Sequence, residues 1–250
     1  MPLNRFMVGR VGVQVVIVSG PGDQQMDIFD ELWTRHQVLK GLGFLIALAR
    51  SNTPRIPLSF SVQARRVGLT VPARHLPLLA PDPAEYPARE DFWRDAALAE
   101  LGHTAGTAGI RSLLAAGALD HSVVIFITRY PQFTQAYADE EDPYVVIDWD
   151  WIQEPSRGGK GFGFLGHVVA HEVGHAFDAP DEYSPCTLLK PDNTGYGSLN
   201  FENFNCVDVN PASVTCLMKR GRDVEFACDS TRVHWGWVDS NGDGTLDVFD

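Results

Sequence analysis

The sequence predicts an α+β protein in which a mixed, twisted sheet with helices is followed by an irregular, disulfide-bridged part. Two observations predict this class. Segments with strand and helix signals alternate over residues 1–180, as in a layered sheet. Beyond Pro180, turns, Asn and Pro replace that periodicity, and all four cysteines lie there. We therefore expect one domain overall, with an N-terminal subdomain over residues 1–180 and a C-terminal subdomain over residues 181–250.

The N-terminal subdomain begins with alternating strand and helix signals. Residues 11–19 form an apolar run typical of a buried strand, and residues 24–50 carry apolar side chains at helical spacing. Residues 56–70 alternate apolar and polar side chains, which predicts a second strand. The Pro-rich connection from Pro72 to Pro87 is then expected to run over the surface.

The rest of this subdomain predicts two further strands and the helix that ends it. Residues 90–119 indicate one or two helices, because glycines weaken the middle of the segment. Residues 121–130 and 143–151 are rich in β-branched and aromatic residues and predict strands, and residues 131–142 between them predict a loop. A Gly-rich turn then leads into a helix over residues 163–178.

The helix at residues 163–178 carries the clearest chemical signature. His171 and His175 are four residues apart, so they lie on one helix face and can direct ring nitrogens at one metal ion. Glu172 projects beside that position, where it can accept a proton from water without being a ligand. The neighbouring side chains are almost all apolar. Because a buried His or Glu needs a partner or a metal, this setting favours a metal site.

A catalytic zinc site needs a third protein ligand and an open coordination position. Asp181 is the first candidate, because Pro180 disfavours a helical conformation at Ala179 and the chain can then turn back towards the histidines. Asp178 is a second candidate, although it lies only three residues after His175. The sequence therefore predicts a zinc site with Asp181 as its third ligand.

The run HEVGHAFDAPD resembles the zinc motif of the metzincin clan of peptidases, H-E-x-x-H-x-x-G-x-x-H followed by a methionine-containing turn. Asp181 stands where the clan has its third histidine, as in the snapalysin-type variant, and carboxylate oxygen is an accepted zinc ligand. Asp178 stands at the clan's glycine, and Asp is one of the few other residues that adopt the left-handed conformation. The segment from Thr215 to Met218 resembles the clan's Met-turn, which implies that Met218 packs beneath the histidines.

This resemblance implies a metzincin-like fold and a zinc-dependent endopeptidase that acts on a protein or peptide substrate. His171, His175 and Asp181 would hold the zinc ion. Glu172 would be the general base that accepts a proton from the activated water. The resemblance also makes residues 71–120 look like an insertion.

Three alternatives stay open at this level. Tyr183 or Tyr196 could donate a hydrogen bond to the oxyanion that develops during hydrolysis, or either could be a packing residue. The third ligand could be Glu202 or Glu225, as in a gluzincin-like peptidase. The chain could also be a non-catalytic, calcium-dependent binding module with a structural zinc, although a closed zinc site needs a fourth ligand.

Residues 239–250, with the sequence DSNGDGTLDVFD, fit the pattern of a twelve-residue calcium-binding loop. The predicted ligands are Asp239, Asn241, Asp243, the carbonyl of Thr245, Asp247 and Asp250. A structural calcium ion at this position would fasten the C-terminal tail to the domain.

The four cysteines are Cys186, Cys206, Cys216 and Cys228. An even number in a region poor in regular periodicity predicts two disulfides. A second zinc site is less favoured, because no Cys-x-x-Cys pair is present. Together with the calcium loop, the disulfides favour a secreted or extracellular protein, and the first residues read as a strand rather than as a signal peptide.

The composition excludes some classes of partner. The formal charge is −12 and no basic cluster is present, which argues against nucleic acid. The longest apolar runs are too short to span a bilayer. We therefore expect a monomer whose partner is its protein or peptide substrate.

Overall fold

The fold is described by a computed structural model that covers residues 6–72, 86–130, 132, 136–139, 142–150, 164–186, 202–220 and 226–249, with the side chains of residues 86–89 and 220 excepted. In chain order the helices and strands are β1 Gly9–Ser19, α1 Ile28–Ser51, β2 Leu58–Gly68, α2 Tyr86–Glu100, α3 Gly106–Gly117, β3 His121–Thr128, β4 Ala136–Ala138, β5 Tyr144–Asp148, α4 Phe164–His175, α5 Leu217–Arg220 and α6 Asp229–His234.

The described strands form one sheet in the order β2-β1-β3-β5-β4. β1 pairs in parallel with β2 and β3, and β3 pairs in parallel with β5. β4 runs antiparallel to β5. The predicted mixed sheet with helices is therefore confirmed. Parallel neighbours need crossover connections, and helices lie on those from β1 to β2 and from β2 to β3. The layering is therefore α/β rather than the α+β class predicted from the sequence.

Helices cover both faces of the sheet, and each face has its own apolar core. On one face, α1 and α4 pack against strand residues such as Val13, and the C-terminal part adds Leu217 and Met218 to the same core. On the other face, α2 and α3 bury Trp93 against Phe126. Strands buried on both faces read as continuous apolar runs, which is why β1 and β3 were recognisable in the sequence. None of the described helices is long and apolar enough to span a bilayer.

The predicted segment at 90–119 forms two helices, α2 and α3. Both belong to the stretch that the clan resemblance marks as an insertion, yet they supply the whole described helical layer on one face of the sheet. Most of the Pro-rich connection before them, residues 73–85, lies outside the described residues.

Helix α4 lies against α1 at a point where two glycines meet. A Cβ atom on Gly41 of α1 would lie 2.2 Å from the carbonyl oxygen of Gly166 on α4. No side chain fits at such a separation, so glycine allows the two helix backbones to approach closely. This contact sets the position of α4 on the sheet, and with it the position of the histidine motif.

β4 is a correction to the loop predicted over residues 131–142. Ala136 and Ala138 carry little strand propensity, so the segment gave no strand signal. The strand forms through non-local pairing, in which Tyr137 faces Val146 of β5. It lies at the edge of the sheet beside α4 and becomes part of the site described below.

In the residues after Pro180 that the structure describes, the regular elements are two short helices, α5 and α6. Cys186 and Cys206 form a disulfide. Cys216 and Cys228 are free, buried thiols, so the prediction of a second disulfide is wrong. Both of these sulfurs are instead engaged in hydrogen bonds with buried side-chain oxygens.

Candidate metal centre

Helix α4 ends at His175, so the prediction that it continues to residue 178 is wrong by three residues. The chain leaves the helix through a Schellman motif. The Asp178 N–H donates to the carbonyl of His175 at 2.8 Å, and the Ala179 N–H donates to a carbonyl one turn earlier at 3.2 Å. Asp178 occupies the left-handed region with a φ of 69°, which fits its place at the clan's glycine. The turn directs Asp181 back towards the histidines.

Two backbone carbonyls fix the histidine rings. Nδ1 of His171 is 2.9 Å from the carbonyl oxygen of Leu217. Nδ1 of His175 is 2.6 Å from the carbonyl oxygen of Ala179. Because a carbonyl only accepts, both Nδ1 atoms carry a hydrogen, and the Nε2 atoms are left to face a common point. Metal-binding histidines in proteins are oriented in this way.

Three atoms converge at that point. Nε2 of His171 and Nε2 of His175 are 3.1 Å apart. Oδ1 of Asp181 lies 3.2 Å from each of them. Ligands of a tetrahedral zinc ion at about 2.0–2.1 Å lie about 3.3 Å from one another. The triangle formed by these three residues therefore has the size that a single zinc ion requires, and we call it the His-Asp triangle.

The electrostatics of the triangle require positive charge at its centre, because three electron-rich atoms at these separations repel one another. In the metal-free protein, burial acts to lower the pKa of His171, but the hydrogen bond with Asp181 and the charge of Glu172 outweigh it and raise the pKa to about 9. Burial acts to raise the pKa of Asp181, yet the two histidines hold it well below its usual range. A proton on one ring nitrogen relieves the repulsion within one pair of these atoms. A divalent ion at the centre relieves it for all three pairs.

Glu172 lies beside the triangle without belonging to it. Its side chain is buried, and among the described residues its Oε2 has no hydrogen-bond partner. Burial raises the pKa of Glu172, while the charges of His171 and His175 act in the opposite direction. A buried carboxylate with an unpaired oxygen and a raised pKa is suited to accept a proton.

Met218 lies against α4 at the histidine motif. It is fully buried, and a Cβ atom on Gly174 would come within 2.8 Å of its Sδ. The indole of Trp235 reaches the same place, where its Nε1 donates to the carbonyl of Gly174 at 3.2 Å. Gly174 stands directly before His175 in the sequence, so the absence of a side chain lets Met218 and Trp235 support the back of the motif.

The triangle opens into a cleft of about 470 Å³, lined on one side by β4 and on the other by residues that follow α4. Glu172, His175 and Asp181 belong to its wall. Tyr183 also lines the cleft, with its ring stacked at 6.3 Å from that of His171. Burial and the charge of Asp181 raise the pKa of Tyr183, so its hydroxyl remains a donor.

The other candidates for the third ligand do not join this group. Among the described residues, the group around the histidines contains Asp181 and neither Asp178 nor Glu202. Glu225 and Tyr196 lie outside the described residues.

The predicted calcium loop is an exposed turn that contains two left-handed glycines, Gly242 and Gly244. The Asp239 carboxylate accepts backbone N–H groups of the loop at 2.7–3.2 Å, and the Asp243 carboxylate accepts a further one at 2.8 Å. Within the described range, no potential metal-binding group includes the loop carboxylates, and Asp250 lies outside that range. Calcium binding stays a prediction.

No protein-family model matches the chain, and no curated protein sequence matches it either. Among solved structures, it is similar to a zinc-dependent peptidase from Methanocorpusculum labreanum, with 14% identity and a TM-score of 0.41 over 90% of this chain and 100% of that chain. It is also similar to archaemetzincin from Methanopyrus kandleri, with 14% identity and a TM-score of 0.36 over 89% of this chain and 93% of that chain. A third similar structure is described as a chaperone-substrate complex, with 16% identity and a TM-score of 0.39 over 92% of this chain and 34% of that chain. TM-scores this low carry no argument, so the functional conclusion depends on the geometry of the site.

Proposed function

We propose that the chain is a zinc-dependent endopeptidase of the metzincin type, in which His171, His175 and Asp181 hold zinc and Glu172 is the general base. The observation that carries this proposal is the His-Asp triangle, with separations of 3.1 and 3.2 Å, at the wall of an open cleft. Three protein ligands beside a cleft are typical of a catalytic zinc site, whereas structural sites are closed by a fourth protein ligand.

The chemistry divides between the ion and the side chains. Zinc, when bound, supplies Lewis acidity that makes water acidic near neutral pH and polarises the scissile carbonyl. Glu172 accepts the proton of the attacking water on its unpaired oxygen and delivers it to the leaving amine. Tyr183 lines the cleft and its raised pKa keeps its hydroxyl protonated, so it would donate a hydrogen bond to the negative charge on the former carbonyl oxygen.

The substrate class follows from the strand beside the triangle. β4 lies at the edge of the sheet and lines the cleft. Extended peptides commonly bind as an additional strand at such an edge. A peptide paired with β4 would pass in front of Glu172 and the His-Asp triangle, so we propose an extended protein or peptide segment as the substrate.

The proposal is tested by the Glu172→Gln variant. Gln keeps the size of the side chain but does not accept the proton, so we expect one zinc ion per chain to remain bound while peptidase activity on a denatured protein falls by about 10²- to 10⁴-fold. In the wild type, a zinc chelator should abolish the activity and added zinc should restore it. Full activity in Glu172→Gln would remove the proposed role of this residue.

The same assays separate the alternatives. A gluzincin-like site predicts that Glu202→Gln or Glu225→Gln loses zinc. The present proposal predicts that both variants retain zinc and activity, because Asp181 supplies the third ligand. A non-catalytic module with structural zinc predicts that the wild type cleaves no protein substrate at any zinc concentration.

Calcium and an extracellular location complete the proposal. The support for calcium is the spacing of acidic residues from Asp239 to Asp250, and the disulfide between Cys186 and Cys206 favours an oxidising compartment. Calcium should raise the melting temperature of the protein, and Asp239→Asn should remove that increase. An increase that survives this substitution would place calcium elsewhere.

A further inference from the structure

A buried carboxylate follows the third ligand directly. Glu182 is 1% exposed, and its side chain is an acceptor at the centre of a polar cluster. It accepts a hydrogen bond from Nδ2 of Asn205 at 2.6 Å. Oγ1 of Thr231 donates to it at 2.8 Å, and Sγ of Cys228 donates at 3.0 Å. Cys216 completes the cluster with its Sγ 3.0 Å from Oγ1 of Thr231. We call these five residues the Glu182 hub.

The hub contains residue types that also bind metals, since the ligand atoms of Glu182, Cys216 and Cys228 lie within 4.8 Å of one another. Its distances are nevertheless those of hydrogen bonds. A carboxylate oxygen and a thiolate sulfur on one zinc ion lie about 3.5 Å apart, whereas Sγ of Cys228 is 3.0 Å from the Glu182 oxygen. Burial also raises the pKa of the Cys216 thiol, so this sulfur keeps its hydrogen rather than becoming a thiolate ligand. The hub is therefore satisfied without a metal.

The backbone on both sides of the Glu182 side chain is fixed as well. The Glu182 N–H donates to the carbonyl of Met218 at 3.0 Å, and the Val207 N–H donates to the Glu182 carbonyl at 3.1 Å. Nδ2 of Asn203 donates to the carbonyl of Asp181 at 2.8 Å. With its side chain, N–H and carbonyl all engaged, Glu182 cannot rotate freely, and Asp181 is held at the adjacent position.

We propose that Glu182 is a positioning residue: through the hub it holds the Asp181 carboxylate at the distance that closes the triangle with His171 and His175. This inference rests on the proposed function, because it takes Asp181 as the third zinc ligand. The backbone around Asp181 and Glu182 is neither helix nor strand, so no repeating ladder of hydrogen bonds fixes it. A buried polar network in which every group has a partner can fix its geometry instead. Without the hub, Asp181 would keep its own bond from Asn203 but would lose the support of the fixed Glu182 side chain beside it.

The test is the Glu182→Gln variant of the full chain. Gln has the size of Glu but places an amide NH₂ group where hub donors point, so at least one hydrogen bond is lost. We expect the dissociation constant for Zn²⁺, measured by competition with a chelator, to rise by about 10- to 100-fold, as for other residues that orient ligands. Cys216 and Cys228 should become reactive towards a thiol reagent in the metal-free variant. Asp229→Asn, which changes a carboxylate that is 97% exposed directly after Cys228, should alter neither property.

A spectroscopic measurement distinguishes positioning from a general loss of stability. The Co²⁺-saturated Glu182→Gln variant should have a visible absorption spectrum that differs from that of the wild type, because the ligand oxygen of Asp181 is displaced. Loss of stability alone leaves the spectrum of bound cobalt unchanged. Glu182→Asp keeps the charged acceptor and should restore part of the zinc affinity.

Each alternative outcome has a definite meaning. Wild-type zinc affinity and an unchanged cobalt spectrum in Glu182→Gln would overturn the positioning role and leave the proposed function intact. A second Zn²⁺ ion per wild-type chain that protects both thiols would also overturn it, because the hub would then be a metal site. A wild-type protein that binds no zinc would overturn the proposed function itself, and this inference with it.

Discussion

The part of the chain before Pro180 and the part after it are held together in different ways. Before Pro180, a five-stranded sheet is covered by helices that bury an apolar core on each face. After it, the described residues form only two short helices and are fixed by one disulfide, the Glu182 hub and single hydrogen bonds to backbone carbonyls. The proposed metal centre lies where the two parts meet, because α4 supplies both histidines and the later part supplies Asp181.

This difference between the two parts shows that the residues of the site are positioned in two ways, locally for the histidines and through distant contacts for Asp181. His171 and His175 keep their mutual geometry wherever α4 lies, because one turn of helix separates them. The position of Asp181 depends on contacts between residues distant in sequence, such as the bond from Asn203 to its carbonyl. We call the residues before Pro180 the sheet part. We therefore expect substitutions in the sheet part to change mainly the free energy of unfolding, and substitutions around Asp181 to change mainly the zinc affinity.

The largest expected effect is the loss of zinc affinity in Asp181→Ala. This change removes the one member of the triangle that the C-terminal part supplies. Zinc affinity should fall by more than about 100-fold, beyond the loss caused by residues that only orient ligands. Competition with a chelator measures it, and Asp178→Gly is the control that should bind zinc as the wild type does. Wild-type affinity in Asp181→Ala would mean that the third ligand lies elsewhere.

A matched pair of glycines on α1 tests the sheet part. A Cβ at Gly41 would lie 2.2 Å from the backbone oxygen of Gly166, whereas a Cβ at Gly43 meets nothing within 4 Å. Gly41→Ala should lower the free energy of unfolding by about 1–3 kcal/mol through overpacking. Gly43→Ala should raise it by up to about 1 kcal/mol through helix propensity. Urea unfolding measures both, and equal effects of the two substitutions would contradict the close contact between α1 and α4.

The pH dependence of zinc binding tests the electrostatic link between the two parts. In the metal-free protein, burial acts against the charged form of His171, but Asp181 and Glu172 raise its pKa to about 9. Below pH 9 zinc must displace that proton, so zinc affinity should increase as the pH rises, by about tenfold per unit for one proton. Dissociation constants at pH 6.5, 7.5 and 8.5 measure the slope. In Asp181→Ala the slope should become shallower between pH 7.5 and 8.5, and a flat wild-type profile would show that His171 is not protonated.

The smallest expected effect is a change in the free energy of unfolding when Asp178 is substituted, in the turn that joins the two parts. Asp178 is held at a φ of 69°, which costs roughly 1–2 kcal/mol for most residues and less for Asp or Gly. Asp178→Val should therefore lose about 1–2 kcal/mol of unfolding free energy, and Asp178→Gly should remain within about 0.5 kcal/mol of the wild type. Thermal unfolding measures the pair, and a Val variant as stable as the Gly variant would contradict the Schellman geometry.

The sequence predicted the sheet part well, because its signals are local. The apolar runs in β1 and β3 are buried on both faces, and such runs indicate strands without reference to the rest of the chain. The spacing of His171, Glu172 and His175 needs only a helix to place them together. β4 was missed because its three residues pair through a contact with β5, and pairing of this kind leaves no periodic pattern in so short a segment.

The part after Pro180 was predicted less well for the same physical reason. An even number of cysteines suggested two disulfides, but parity says nothing about which sulfurs meet, and Cys216 and Cys228 bond to oxygen instead. Glu182 gave no signal, since a Glu beside an Asp usually indicates an exposed turn. The groups that orient the histidines are the backbone carbonyls of Leu217 and Ala179, and residue identities cannot reveal such contacts.

The zinc K-edge X-ray absorption spectrum of the protein loaded with one equivalent of zinc tests the central claim most directly. The His-Asp triangle predicts two imidazole nitrogens from His171 and His175 and oxygen ligands at about 2.0–2.2 Å, with no sulfur. A shell that contains sulfur at about 2.3 Å would place the ion among the buried thiols around Glu182, and would contradict the assignment of the catalytic zinc to the end of α4.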